Sequence, residues 1–183
     1  DFLYQQNSLR DALVAGTNLN IFNNHSERVR MANIAQMINV LQAVILTREE
    51  KMVLTPTYHV FDLYKVHRDA TLLPTFLVAA EYSLSGDKIP ALNVSASRDK
   101  SGKIHVTLCN LDPNQSQTLS AELRGGKTSR ISGQILTATE INAYNTFEQP
   151  ERVKTAPFPG ARLTSSGFTA EIPAKSVVAL TLE

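Results

Sequence analysis

Leu9, Ala12, Leu13, Gly16, Leu19 and Phe22 recur at intervals of three and four, the spacing that lays apolar groups along one face of a helix. Ser8 and Asp11 stand where a capping box would open that helix, with Asp in place of the usual Glu. The pattern predicts a helix ending near Asn23–His25. Gly16 inside it costs about 1 kcal/mol relative to Ala, a penalty that close packing against a neighbour would justify. A strand is expected next, over Arg28–Ala35. Val29, Met31, Asn33 and Ala35 would share one face, and Arg30, Ala32, Ile34 and Gln36 the other. Both faces mix polar and apolar groups, which suits a strand whose end reaches a polar site. The apolar stretch Met37–Leu46 leads to a charged turn at Arg48, Glu49, Glu50 and Lys51. Thr55-Pro56 then signals a second helix, Thr as N-cap and Pro in the first helical position. Thr57, Val60, Phe61 and Tyr64 form its stripe, and it should run to about Val66–Arg68.

Beyond Leu72-Leu73-Pro74, an exit into a new region, the period shifts towards two. Candidate strands are Thr75–Leu84, Leu92–Arg98, Ile104–Asn110, Thr118–Arg124, Arg130–Thr137 and Val177–Leu182. Turns rich in Gly, Asp and Pro separate them, as at Ser85-Gly86-Asp87 and Asp112-Pro113-Asn114. Short strands so spaced indicate an antiparallel β-sandwich, jelly-roll-like in character. Asn145–Thr164, with its three prolines, reads as a long loop. The expected organisation is therefore an α/β portion over residues 1–70 and an all-β sandwich over 71–183. A single helix–strand–helix cannot cover both edges of a lone parallel strand. With an opening Asp1 rather than Met, this leads us to expect the C-terminal part of a longer protein.

Composition narrows the picture modestly. Hydrophobic residues make up 43% of the 183, which is ordinary for a folded protein. A formal net charge of +1 gives no electrostatic reason to expect nucleic acid or a membrane surface as partner. The apolar runs are too short to span a bilayer. Cys109 is the sole cysteine, so no internal disulfide exists, and its apolar strand favours a buried, inert thiol. Trp is absent, which counts against a self-sufficient sugar-binding surface built on indoles. His25-Ser26-Glu27 supplies too few ligands for a metal. His59, one turn into the second helix, either caps, packs or points into a site. No carboxylate pair stands out, and Glu140 and Glu148 read as solvated. On residues alone, the chain is the end of an α/β domain followed by a sandwich.

The run His25–Gln36 (HSERVRMANIAQ) resembles α-L-arabinofuranosidases of glycoside hydrolase family 51. The likeness continues through Asn39-Val40-Leu41-Gln42, Leu54–Phe61 (LTPTYHVF), Tyr64–His67 and Ala70–Pro74, and returns at Ile141–Phe147 (INAYNTF). The resemblance implies a (β/α)8 barrel followed by a C-terminal β-sandwich. Residues 1–70 would then be the last helix–strand–helix of the barrel, with Arg28–Ala35 its eighth strand. It also implies that Gln36, at the carboxyl end of that strand, hydrogen-bonds the arabinofuranose at the bond to be broken. Asn39 is a second candidate for substrate contact and His59 a third. The two catalytic glutamates of the family, acid/base and nucleophile of a retaining hydrolysis, would lie on strands upstream of Asp1. No cofactor or metal is implied. Implied partners are the rest of the barrel, an arabinose-containing oligo- or polysaccharide and further copies of the enzyme. The alternative is a non-catalytic β-sandwich that binds carbohydrate or mediates assembly. Such a module would present a planar row of exposed aromatics, with Tyr82, Tyr144 and Phe147 as the available residues.

Overall fold

The computed structural model describes residues 7–35 and 37–183. Helix α1 (Leu9–Asn24) starts where expected: the Ser8 backbone N–H donates to Asp11 Oδ2 at 2.7 Å and the Ser8 hydroxyl donates to the same oxygen at 2.8 Å. A short hairpin follows, β1 (Ile45–Arg48) and β2 (Lys51–Leu54), turning at the charged residues; Glu49 takes a left-handed φ of 56°. Helix α2 (Pro56–Tyr64) has Thr55 as N-cap and Pro56 at its start, and tightens into a 3-10 turn over Lys65–His67.

The rest is strand: β3 (Thr71–Leu73), β4 (Glu81–Leu84), β5 (Asp87–Pro90), β6 (Leu92–Arg98), β7 (Ile104–Asn110), β8 (Gln117–Glu122), β9 (Ile131–Leu136), β10 (Thr155–Pro157), β11 (Ala161–Leu163), β12 (Gly167–Ile172) and β13 (Ser176–Leu182). Six of them form an antiparallel sheet in the order β10-β9-β13-β7-β6-β3, and three form a second sheet, β11-β12-β8. β4 and β5 make a hairpin of their own.

Two cores lie on opposite faces of the six-stranded sheet. Ile104, Val106 and Leu108 of β7, with Val178, Leu180 and Leu182 of β13, point towards the three-stranded sheet and meet Phe168, Ala170 and Ile172. The alternate residues, Cys109 of β7 and Val177 of β13, join Leu136 on the other face. There they pack under Leu9, Ala12 and Leu13 of α1 and Val60, Leu63 and Tyr64 of α2. Strand period and helix period thus meet on one sheet face, which explains why all of β7 is buried. Each fully buried Leu or Val here contributes about 1.5–3 kcal/mol through the hydrophobic effect. The architecture is helices on sheet on sheet.

Gly16 is explained by this packing. A Cβ there would lie 2.8 Å from Cys109 Sγ and 3.3 Å from the Tyr64 hydroxyl, and that hydroxyl donates to the Gly16 carbonyl at 2.9 Å. The helix can lie this low on the sheet only without a side chain at that position.

Four expectations are corrected. Arg28–Ala35 is not a strand here: Arg28 ends a turn and the following residues join no ladder, because no neighbouring strand among the described residues offers one. In the expected strand Thr75–Leu84 only Glu81–Leu84 is paired. The preceding Leu77 and Ala79 instead lean on the inter-sheet core while Phe76 and Val78 point out. Leu72-Leu73 is not merely an exit but part of β3, the edge strand beside β6. The Pro-rich stretch from Asn145 holds β10 and β11, and Gly167–Ile172, not foreseen as a strand, is the centre of the second sheet.

Candidate functional site

The implied contact residue Gln36 lies outside the described residues. Asn39, three positions on, has a left-handed φ of 58°, a conformation that Asn tolerates better than most side chains. Its amide makes two bonds to β1: Nδ2 donates to Thr47 Oγ1 at 2.9 Å and Oδ1 accepts from the Thr47 N–H at 2.7 Å. His59 sits half-buried on α2, its ring edge-on to Tyr58. Burial lowers its pKa, partly offset by the negative charges of Asp62 and Glu151. The structure therefore turns Asn39 towards the hairpin and His59 towards the loop that carries Glu151, and does not bring the two together.

What it does bring together is Asn39 and the late block Ile141–Phe147. Tyr144 and Phe147, with Asn39, Thr47, Arg48 and Glu148, line an open cleft of about 450 Å3 between the β1–β2 hairpin and the loop after β9. The Arg48 guanidinium lies 4.3 Å from the centroid of the Phe147 ring and donates to Glu148 Oε1 at 3.1 Å. This hydrogen bond is the main reason the Glu148 carboxyl sits below its usual pKa. From sequence, Arg48 belongs to the charged turn and Glu148 to the solvated surface; the one signal for more is their closeness to the two blocks that carry the resemblance.

The floor of the cleft is structural. Asn145 is buried and donates to the carbonyls of Leu54 and Val153, both at 2.8 Å, while accepting from the Val153 N–H at 2.7 Å. The first backbone N–H groups of α1, which a helix leaves without partners, donate to this loop: Leu9 N to Ala143 O and Arg10 N to Ile141 O, each at 2.9 Å. Asn7 completes the tie, donating to Gln42 O at 3.1 Å and accepting from the Thr57 hydroxyl at 2.8 Å. Both helix N-termini therefore open at the same end of the molecule, beside the cleft.

A second polar cluster lies under α1. Asn20 is fully buried, and its Oδ1 accepts from Thr107 Oγ1 at 2.7 Å and Ser95 Oγ at 2.9 Å. With the Thr107 proton so placed, His67 Nε2, 2.9 Å away, must donate to Thr107. Its Nδ1 must then accept from Ser97 Oγ at 2.7 Å. Burial, together with the nearby His105, pushes the His67 pKa down to about 4. Ser97 is buried and the half-buried His67 has both ring nitrogens taken up by Ser97 and Thr107, so this is a fastening layer rather than a nucleophile and base. Cys109, likewise enclosed, has its thiol pKa raised by burial to about 11 and is inert at neutral pH. The three aromatics considered for a sugar-binding row are divided: Tyr82 is on β4, whereas Tyr144 and Phe147 are in the cleft.

The family model for the α-L-arabinofuranosidase C-terminal domain matches residues 1–176. An intracellular exo-α-L-arabinofuranosidase of Bacteroides ovatus is 45% identical over 182 residues, which is 99% of this chain and 35% of that protein. The crystal structure of the family GH51 arabinofuranosidase from Xanthomonas axonopodis pv. citri superposes with a TM-score of 0.96 at 52% identity, covering 100% of this chain and 37% of that one. The α-L-arabinofuranosidase of Thermotoga maritima, in its arabinose complex, shares the fold at 22% identity, with a TM-score of 0.85 over 98% of this chain and 39% of its own. The chain thus spans little more than a third of the length of each.

Proposed function

Because the chain belongs to the α-L-arabinofuranosidase C-terminal domain family, we propose that it is the C-terminal part of a retaining exo-glycosidase that removes terminal arabinofuranosyl residues from arabinan- or arabinoxylan-type glycans. The observation that carries this reading is an apolar surface on the side of α1 turned away from the sandwich. Val14 is 58% exposed there, Ile21 and Phe22 are also uncovered, and the neighbouring segment leaves Met31 75% exposed. The upstream part of the enzyme is the natural cover, since the matched relatives are nearly three times as long. In that assembly residues 1–70 close a (β/α)8 barrel and 71–183 form its sandwich. Arg28–Gln36 pairs with strands of the upstream part, and the Gln36 amide meets the sugar as donor and acceptor at once. Asn39 holds the turn behind it through Thr47. The two glutamates that carry out the chemistry belong to the upstream part, one protonating the leaving oxygen and the other attacking the anomeric carbon.

A stand-alone carbohydrate-binding module is the weaker reading. The aromatics do not form one row, and the helices and the loop after β9 complete each other's hydrogen bonds.

We also assign a surface to contact between copies of the enzyme. Phe76 is 93% exposed and Val78 82%, and Leu84 and Ile89 continue the apolar face on the β4–β5 hairpin. The opposite face of the hairpin carries the Lys88–Glu81 ion pair at 2.9 Å. A two-stranded hairpin with one apolar face is marginal alone in water. In the segment leading into it, Leu77 and Ala79 rest on the inter-sheet core and not on the helical layer that faces the barrel. A second copy meeting it about a two-fold axis covers both stripes with one another.

The test of the activity uses the full-length enzyme. Arabinose release from a 4-nitrophenyl arabinofuranoside and from arabinan is expected, and Gln36→Ala should lower kcat/KM by about 10–100-fold, the effect of losing one or two hydrogen bonds of about 1–3 kcal/mol. A full-length enzyme that releases no arabinose removes the reading. A Gln36→Ala enzyme with unchanged kinetics removes the role of Gln36.

A further inference from the structure

We infer that the cleft between the β1–β2 hairpin and the loop after β9 binds the glycan on the leaving-group side of the scissile bond, so that the sandwich takes part in choosing the substrate. This rests on the proposed activity and adds to it a second place of substrate contact.

Position is the first argument. In a (β/α)8 barrel the helices run back against the strands, so helix N-termini mark the carboxyl ends of the strands, where substrates bind. Ser8 bridges to Tyr144, Leu9 and Arg10 donate to the loop carbonyls, and the Asn145 amide donates to Leu54 O just ahead of α2. The cleft is built against the N-termini of both helices, at the catalytic end, and its wall includes Asn39, three residues beyond Gln36.

Chemistry is the second. Arg48 and Glu148 offset each other in charge, so the cleft suits a neutral ligand rather than an anion. The guanidinium is held by the Phe147 face and Glu148, a bond that uses one of its five N–H donors, while the side chain stays 54% exposed. The second carboxylate oxygen of Glu148 remains an acceptor, and Tyr144 adds a phenolic hydroxyl. Donors and acceptors side by side, next to an aromatic ring, match the vicinal hydroxyls and C–H faces of a sugar. Thr47 and Asn39 bond each other twice and form one wall of the cleft. A volume of about 450 Å3 falls in the range of small-molecule sites, and the open side lets a chain continue outwards.

The experiment compares two substrates on the full-length enzyme. An aryl arabinofuranoside has no sugar on its leaving side, whereas an α-1,5-arabinotriose does. Phe147→Ala should lower the ratio of kcat/KM for arabinotriose to kcat/KM for the aryl substrate by about 5–50-fold, mainly through KM. Arg48→Met, which keeps the stem over Phe147 while removing the donors, should lower the same ratio several-fold. Circular dichroism melting checks that each variant is folded. Equal losses on both substrates in folded variants would mean that the cleft only supports the fold, and unchanged kinetics on both would mean that no sugar visits it; either result overturns the inference. Turnover of the aryl substrate by the unaltered enzyme, read separately, tests the activity itself.

Discussion

Acidification should loosen the seam between the helical layer and the sandwich, and His67 is the group that makes it do so. Its ring spans Ser97 on β6 and Thr107 on β7 as a neutral tautomer, with Nε2 donating and Nδ1 accepting. Burial is the larger cause that holds its pKa at about 4 against an ordinary 6.5, and the facing His105 adds to it. His105 in turn donates to Asp99 at 3.0 Å, and the Tyr64 ring stands edge-on to His67 at 5.8 Å. A base whose pKa is lower in the folded state leaves the unfolded chain holding more protons between the two values. Stability is therefore fully present above about pH 6.5, falls as pH drops, and stops falling near pH 4, where the folded state takes up the proton. At about 1.4 kcal/mol for each pH unit between those values, the loss reaches about 3 kcal/mol. Denaturant unfolding at pH 7 and pH 4.5 would read it as a shift in midpoint. His67→Gln keeps a donor for Thr107 and an acceptor for Ser97 without a titrating proton, so its midpoint should shift far less over the same interval. Equal shifts in the two proteins would refute the reasoning and place the acid sensitivity elsewhere.

Two further outcomes follow from packing. Gly16→Ala gains about 1 kcal/mol of helix propensity, yet forces a methyl against Cys109 Sγ at 2.8 Å, an overpacking that costs about 1–3 kcal/mol. A net drop in melting temperature is expected, relieved when Cys109→Ala is added, and a melting temperature raised by Gly16→Ala alone would contradict the close contact. Phe76→Ser on the exposed stripe should shift the full-length enzyme towards smaller species in light scattering after gel filtration, with its turnover of an aryl substrate retained. A molar mass equal to that of the unaltered enzyme would free this surface from the role assigned to it.

The features most legible in the sequence were those written in local chemistry. Ser8 with Asp11 and Thr55 with Pro56 mark helix starts through groups only a few residues apart, and β6 and β7 keep the expected bounds because turns flank them closely. Arg28–Ala35 failed for the opposite reason: a strand is defined by its neighbours, and alternation alone does not supply them. The fastening layer was invisible because Asn20, Ser95, Thr107 and His67 are polar, and hydropathy assigns such residues to the surface. They are held by partners 12 to 87 positions away in the chain. The cleft was half legible: its resemblance-bearing blocks were seen, but that Asn39 and Phe147 share a wall is a fact of topology.

The capping of α1 by the carbonyls of Ile141 and Ala143 has a consequence for how the protein is made. The helix leaves the ribosome well before that loop, and the groups that finish its first turn are translated more than 130 residues later. Until they emerge, the Leu9 and Arg10 N–H groups, unlike that of Asp11, which the Ser8 side chain caps, can bind only water. The joint between helices and sandwich is thus completed late in synthesis, and a chain released before residue 141 would lack it.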